Sequence, residues 1–315
     1  MPDPIASFDA VVVGGSYAGL SAAMQLARAR QRVLIIDAGQ RRNRFASASH
    51  GLIGQDGRAP DAIAADARAQ VLAYPNVTWR QATAVRADGG IGLFAVEDEA
   101  GQRVQARRLV LATGVVDTLP PIDGLQARWG RSVFHCPYCH GYELDRGRIG
   151  VIAVGEVSMH HALMLPDWGA VTFFLDGRFV PDDTQRAALA ARGVRIEPAR
   201  IAAVAGDADV VLDDGRLIAC DGLFVASRTH VASPLAEQLG CAFEDGPLGA
   251  FVRTDAMQAT SVPGVFACGD AARAAHSVAL AIGDGAMPAP RPIAACCSTE
   301  PAGLALCPCS AHAAS

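Results

Sequence analysis

The sequence predicts an α/β protein of two Rossmann-like, three-layer nucleotide-binding domains, the second inserted into the first. Three observations carry this reading. A strand–glycine turn–helix–strand unit opens near Phe8, a second such unit opens near Ile149, and a buried strand late in the chain, GVFACGD, returns to complete the first domain. The bulk numbers agree with an ordinary globular protein: 315 residues, 51% hydrophobic, 19% charged, with a net charge of -5. The length suits two domains. An acidic balance makes nucleic acid a poor partner, because phosphate backbones are bound mainly through Lys and Arg. The early charge-free stretch 10–27 is interrupted by Gly14, Gly15, Ser16 and Gly19 and has no basic segment before it, so neither a membrane span nor a signal peptide is expected. The nine cysteines are an odd number, which argues against a disulfide framework and for a reduced, cytoplasmic setting.

Taken in order, FDAVVV reads as a buried strand, LSAAMQLARA as a helix and RVLIID as the next strand. The turn Gly14, Gly15, Ser16, Tyr17, Ala18, Gly19 between the first two is a GxGxxG variant with Ser16 at the middle glycine. Such a turn brings backbone N–H groups and a helix N-terminus to a pyrophosphate. Asp37 ends the second strand and is placed to accept hydrogen bonds from a ribose. Arg41, Arg42 and Arg44 follow closely enough to reach an adenosine phosphate, or form a solvated basic loop. A helix is expected around 61–72, then a β-meander made of VTWRQATAV, IGLFAVED and QRVQARRLVL that ends at Thr113 and Gly114. Prolines in DTLPPIDG mark a crossing between domains, and residues 227–233 mark the return.

The inserted unit repeats the first: strand IGVIAV, turn GEVS, helix MHHALML, strand AVTFFLD. Asp37 lies 23 residues after Gly14 (37 − 14), and Asp176 lies 23 after Ala153 (176 − 153), so both second strands end in a carboxylate at one offset. Gly155 is the single glycine of the second turn. A carboxylate at Asp176 favours a free 2′-hydroxyl over a 2′-phosphate, and so NADH over NADPH, with Arg178 countering.

Cys136 and Cys139, in HCPYCH, have the spacing of a redox disulfide. A zinc knuckle competes, but four ligands within six residues make poor tetrahedral geometry. An inert buried pair is the other alternative. His140, directly after the second cysteine, is a candidate proton donor or thiolate partner, against a plain surface or capping histidine. Cys220, Cys241 and Cys268 read as structural, and His50, His160, His161 and His276 as non-catalytic.

After Met287 the chain loses helical periodicity, and Cys296, Cys297, Cys307 and Cys309 crowd the end. With a permitted choice of codons, restoring a single base after the Met287 codon recovers an amphipathic helix end. Residues 288–315 are therefore expected to be an out-of-frame tail, which the codons of the gene would test.

GGSYAG near the N-terminus, LATG at 111–114, CPYC at 136–139 and GVFACGD at 264–270 together resemble the low-molecular-weight thioredoxin reductases, over residues 8–287. The resemblance implies an FAD domain at 1–117 and 233–287, interrupted at 118–232 by a pyridine-nucleotide domain carrying the CxxC. It also implies a homodimer and a large rotation of one domain. Carried over by position, Gly14, Gly15, Ser16, Tyr17, Ala18, Gly19 and Asp37 hold the FAD pyrophosphate and adenosine, with Ala82 near the adenine. Thr113 and Gly114 line the flavin, Gly269 and Asp270 hold the ribityl chain, and the helix start at Ser277 and Val278 meets the flavin N1/O2 edge. Gly155 and Asp176 serve the nicotinamide nucleotide. Cys139 is the flavin-proximal thiol, Cys136 the interchange thiol and His140 the acid, where the family carries an aspartate.

The function so implied is FAD-dependent disulfide reduction: electrons pass from NADH or NADPH through FAD to Cys136/Cys139. From there they reach a thioredoxin-like protein or a small-molecule disulfide. The second turn lacks two glycines, FFLDGR lacks the basic motif that reads a 2′-phosphate, and a CxxC-His segment is similar to that of the gliotoxin-type dithiol oxidases. Oxygen-dependent dithiol oxidation is therefore the enzyme alternative, and a non-catalytic flavin-binding protein the third.

Overall fold

A computed structural model describes residues 6–288; the tail reading at 288–315 and its four cysteines lie outside the described residues but for Pro288. The chain opens with β1 (Ser7–Val13), α1 (Tyr17–Arg28) and β2 (Val33–Asp37), whose continuous apolar runs suit strands covered on both faces. Then come α2 (Pro60–Leu72), with Pro60 at its first turn, and β3 (Val77–Gln81). The meander follows as β4 (Ala84–Gly90), β5 (Leu93–Asp98) and β6 (Arg103–Leu111).

One expectation is corrected here. VTWRQATAV is not the first meander strand: β3 runs parallel to β2, with Val33 opposite Val77 and Asp37 opposite Gln81, and the meander begins at Ala84. A half-exposed edge strand and a meander strand share the same alternation, but α2 is a crossover helix, and a crossover returns the chain parallel.

β7 (Val115–Thr118) leaves the first sheet. The inserted unit holds β8 (Val133–Phe134), α3 (Pro137–His140), β9 (Arg148–Ile152), α4 (Met159–Met164), β10 (Ala170–Phe174), α5 (Asp183–Ala191) and β11 (Arg195–Glu197). It continues with β12 (Ile201–Ala205), β13 (Asp209–Leu212), β14 (Leu217–Ile218) and β15 (Gly222–Val225). β16 (Arg228–Val231) returns to the first unit, followed by α6 (Leu235–Gln238), β17 (Phe243–Asp245), β18 (Ala250–Val252), β19 (Val265–Ala267) and α7 (Val278–Ala286).

The first sheet has the order β3-β2-β1-β6-β5-β4, and β19 also pairs with β6. Strand β6 splits its far edge: Arg103–Ala106 meets β5 antiparallel, while Leu109–Leu111 meets β19 parallel. Alternate residues go to opposite faces. Val12, Ile35 and Val110 pack under α1, α2 and α7, while Val13, Ile36 and Leu111 pack under the meander and α6. The second sheet, β11-β10-β9-β15-β8, is wholly parallel. The small β12-β13-β14 sheet packs on one of its faces and α4 on the other. The two connections between the sheets pair with each other: β7 and β16 form an antiparallel ribbon, Thr118 opposite Arg228 and Val115 opposite Val231.

Helices α1 and α7 touch through small residues. A Cβ on Gly285 would overlap the Ala18 carbonyl, and Ser21 Oγ donates to Ile282 O at 2.7 Å. This close crossing sets α7 beside the glycine turn.

Candidate functional site

The glycine turn needs its glycines. Gly14 has φ +102°, and a Cβ there would overlap Ala112 O; one on Gly19 would overlap Gly14 O. Gly15 lies against the Trp79 ring and donates its N–H to Asp37 Oδ1 at 2.8 Å. Among the described residues, the hydrogen bond to the Asp37 carboxylate is the one Gly15 N–H gives to Oδ1. Ser16 is the N-cap of α1 but makes no side-chain cap bond. Ala18 packs under Gly269, which has φ +70°.

Tyr17 is buried; its hydroxyl donates to Pro60 O and receives Asn43 Nδ2, both at 3.2 Å, and burial raises its pKa. It orders the loop beyond β2. Ala82 donates to Asp37 O at 3.0 Å, and Gly114, with φ +68°, accepts from Ala232 N at 3.0 Å. Asp270 sits in the turn after β19, and Val278 opens α7, capped by Ser277 Oγ accepting from Leu280 N at 3.1 Å. The structure thus brings Gly14–Gly19, Asp37, Gly269, Asp270 and Val278 to the strand ends of the first sheet.

The turn is a cradle that a Cβ would fill, its helix end is left uncapped by Ser16, and buried Arg41 Nε and Asn43 Oδ1 beside it have no partner among the described residues. These residues fit a dinucleotide.

Of the three arginines, Arg44 is exposed and Arg41 makes a surface pair, as in a solvated loop, and only Arg42 departs from that reading. Arg41 pairs with Asp61, and Arg44 lies over the Phe45 ring at 4.3 Å. Arg42 is drawn inside. Its Nε and Nη2 reach the two oxygens of Asp117 at 2.7 and 2.6 Å, and its Nη1 reaches Asp270 Oδ2 at 2.9 Å. Ser227 Oγ donates to Asp117 Oδ1 at 2.7 Å. Burial alone would raise the Asp117 carboxyl, but the Arg42 hydrogen bonds outweigh it and hold it below its usual value. Asp117 and Ser227 escaped the sequence reading, because nothing local marks partners 75 and 110 positions apart.

Cys136 and Cys139 form a disulfide with Cα atoms 5.3 Å apart. Pro137 starts the single turn of α3, with Cys136 as its N-cap. His140 ends that turn, stacked on Phe134 at 4.1 Å with 13° between the rings, and its buried Nδ1 has no partner among the described residues. Burial, with His50 nearby, lowers its pKa to about 4. His135, on the other side of the pair, is lowered to about 3 by burial and then by Arg42. His50 stands 3.4 Å from Glu143, just beyond α3. Tyr138 and Tyr142 are largely exposed beside the disulfide. The free cysteines among the described residues, Cys220, Cys241 and Cys268, are buried with raised pKa values. Among the described residues no group of three or more His, Cys, Asp or Glu is arranged to hold a metal, and no helix is long and apolar enough to cross a membrane.

The second nucleotide turn has one of its N–H groups already taken. Gly155 has φ +147°, and a Cβ there would meet nothing within 4 Å. Buried Ser158 accepts the Val154 N–H at 2.9 Å, and Glu156 accepts from Gln185. Asp176 is only 5% exposed with φ +50°; its oxygens accept from Ile201 N at 2.8 Å and Arg178 Nε at 2.7 Å. The Arg200 guanidinium lies against Gly177.

Comparison with known proteins matches this layout. A family model described as pyridine nucleotide-disulphide oxidoreductase matches residues 8–285. Among relatives, the chain is 33% identical over 277 residues to the thioredoxin reductase tcpT of Claviceps purpurea, spanning 83% of this chain and 86% of that one. It is also 33% identical over 300 residues to the thioredoxin reductase sirT of Leptosphaeria maculans, spanning 88% and 91%. The crystal structure of the oxidoreductase from Agrobacterium tumefaciens superposes with a TM-score of 0.91 at 56% identity, over 93% of this chain and 100% of that one. The crystal structure of HlmI gives 0.84 at 34%, over 90% and 91%.

Proposed function

We propose, from the premise that this chain belongs to the pyridine nucleotide-disulphide oxidoreductase family, that it is an FAD-dependent disulfide reductase working through Cys136 and Cys139. The observation that carries the reading is the disulfide itself, held on one helical turn of the inserted unit. Bound FAD would supply a two-electron relay between a nicotinamide and this disulfide.

The chain's own residues do the rest. Gly14–Gly19 would present N–H groups to the pyrophosphate, Asp37 would offer its second oxygen to the adenosine ribose, and Ala82 would serve the adenine. Thr113, Gly114, Gly269 and Asp270 would hold the flavin and ribityl portion. The N-terminus of α7 at Val278 favours negative charge at the flavin edge. Two electrons and two protons convert Cys136–Cys139 into two thiols. The Cys136 thiolate attacks one sulfur of the substrate disulfide, a bond forms between them, and the other substrate sulfur leaves as thiolate. Cys139 then attacks Cys136, which restores the internal disulfide and releases the second substrate thiol. His140 is neutral at pH 7 in the oxidised enzyme. A thiolate appearing beside it favours its protonated form, so it accepts the proton when Cys139 ionises and returns it when the disulfide reforms.

The substrate in this reading is a thioredoxin-like protein or a small-molecule disulfide, and the enzyme works as a cytoplasmic homodimer; the resemblance supports the substrate and the dimer, the odd cysteine count supports the compartment, and size-exclusion chromatography tests the dimer. NADH is the preferred donor through Asp176, with Gly155 admitting the pyrophosphate. Because that carboxylate is buried and already satisfied, the preference it exerts is small.

A second reading, oxidation of a substrate dithiol with oxygen as the acceptor, is favoured by the second turn. Ser158 consumes a turn N–H and Glu156 adds a negative charge where a pyrophosphate would lie. Anaerobic addition of NADH, NADPH or a dithiol to the purified protein separates the two. Flavin bleaching by a nicotinamide supports the reductase; bleaching by dithiol alone sinks it in favour of the oxidase.

A further inference from the structure

Arg42 joins three parts of the molecule that the sequence keeps far apart. It leaves the loop after β2. With Nε and Nη2 it grips Asp117 on β7, and with Nη1 it grips Asp270 after β19. Asp117 in turn accepts from Ser227, on the returning connection just before β16. Both strands of the ribbon between the two sheets are thus tied to the carboxylate at the cofactor end of the first sheet. All these groups are withdrawn from solvent: side-chain exposure is 15% for Arg42, 6% for Asp117 and 18% for Asp270, and Ser227 is fully buried.

The charges do not balance, since one guanidinium serves two carboxylates. In such a site the cation cannot be withdrawn from either acid without leaving a buried negative group uncompensated. The fork on Asp117 is also geometrically demanding, because two parallel N–H···O bonds tolerate little rotation of the acid. Thr229 and Ala232 of the ribbon bond to Leu248 and Gly114 of the first unit, whereas Asp117 and Ser227 stand at the ribbon end that adjoins the insert, so a turn of the second sheet displaces that end first. Either the guanidinium follows Asp117 and loosens Asp270, or it stays and the fork opens.

We infer that Arg42 is a positioning residue that couples the orientation of the inserted unit to FAD retention, through a single guanidinium shared by Asp117 on the inter-sheet ribbon and Asp270 at the cofactor site. This rests on the reading of Asp270 as a cofactor residue. Coupling of this kind is reciprocal: if the ribbon arrangement with the fork intact favours FAD, bound FAD favours that arrangement by the same factor.

The test uses the full chain stripped of flavin, with FAD itself as the probe. Binding is followed by flavin fluorescence, and the distance between labels on the two sheets is read with and without FAD. Asp117→Asn, which touches no proposed cofactor contact, is expected to weaken FAD binding about tenfold and to abolish the FAD-dependent change in distance. Arg42→Lys keeps the charge but not the fork and falls between wild type and Asp117→Asn. The double variant is no weaker than the stronger single one. Should Asp117→Asn fail to fold, Ser227→Ala decides, with an expected loss of a few-fold in affinity. Wild-type affinity and wild-type distance changes in folded Asp117→Asn or Ser227→Ala overturn the coupling. A wild-type protein that does not bind FAD overturns the cofactor reading itself, and the coupling with it.

Discussion

Acid should unfold this protein through its buried histidines, and His140 should account for a measurable share. Its pKa is lowered to about 4 by burial and then by His50, against about 6.5 when free. The unfolded chain therefore binds the proton more readily than the folded one, and stability is lost as pH falls from 6.5 towards 4. Integrating between pH 7 and pH 5 gives roughly 2 kcal/mol for this one group, an order-of-magnitude figure. His161, also at about 4, and His135, at about 3, have the same sign and each adds a similar amount. The three together cost roughly 6 kcal/mol at pH 5, comparable with the whole stability of a typical domain. Replacing His140 by Phe keeps a ring stacked on Phe134 and removes one titrating group. Urea unfolding at the two pH values, followed by circular dichroism, should show the variant losing about 2 kcal/mol less than wild type. Equal losses in the two proteins would refute the assignment of a buried, neutral His140.

Three further outcomes follow from the geometry. Gly19→Ala places a Cβ on the Gly14 carbonyl, so the purified variant should carry little bound flavin by visible absorbance; wild-type flavin content would contradict the cradle. Gly285→Val overpacks the crossing of α1 and α7 and should lower stability by about 2–3 kcal/mol in denaturant melts, whereas an unchanged midpoint would show the helices free to part. Cys136→Ser should abolish disulfide turnover while leaving the flavin reducible, and full turnover in this variant would remove Cys136 from its assigned role.

How much was readable in advance depended on whether the signal was local. β1, α1 and β2 were legible because an apolar run, a glycine turn and a helical period lie within thirty-odd residues of one another, and physics confines such a string to one arrangement. The Cys136–Cys139 pairing was legible for the same reason. β3 was misplaced because alternation reports how a strand is exposed and not which neighbour it joins. Asp176 falls two residues beyond the end of β10, in a turn with φ +50° and not at the strand end expected, and its bond to Ile201 N depends on a segment 25 positions later. The Arg42 network was out of reach altogether: its members are ordinary residues until the two connections lie side by side.

The split edge of β6 has a consequence for how the chain is made. Leu109, Val110 and Leu111 find their partners in Val265, Phe266 and Ala267, about 156 positions later (265 − 109). While the chain leaves the ribosome, the first sheet must therefore wait with half of one edge unpaired, exposing some of its most apolar residues until the inserted unit has been synthesised. That inserted unit draws all five strands of its parallel sheet from its own segment and need not wait. The middle of this protein is thus expected to be finished before its beginning. Conditions that slow the late part of synthesis would then lengthen the time an open apolar edge is available to other chains.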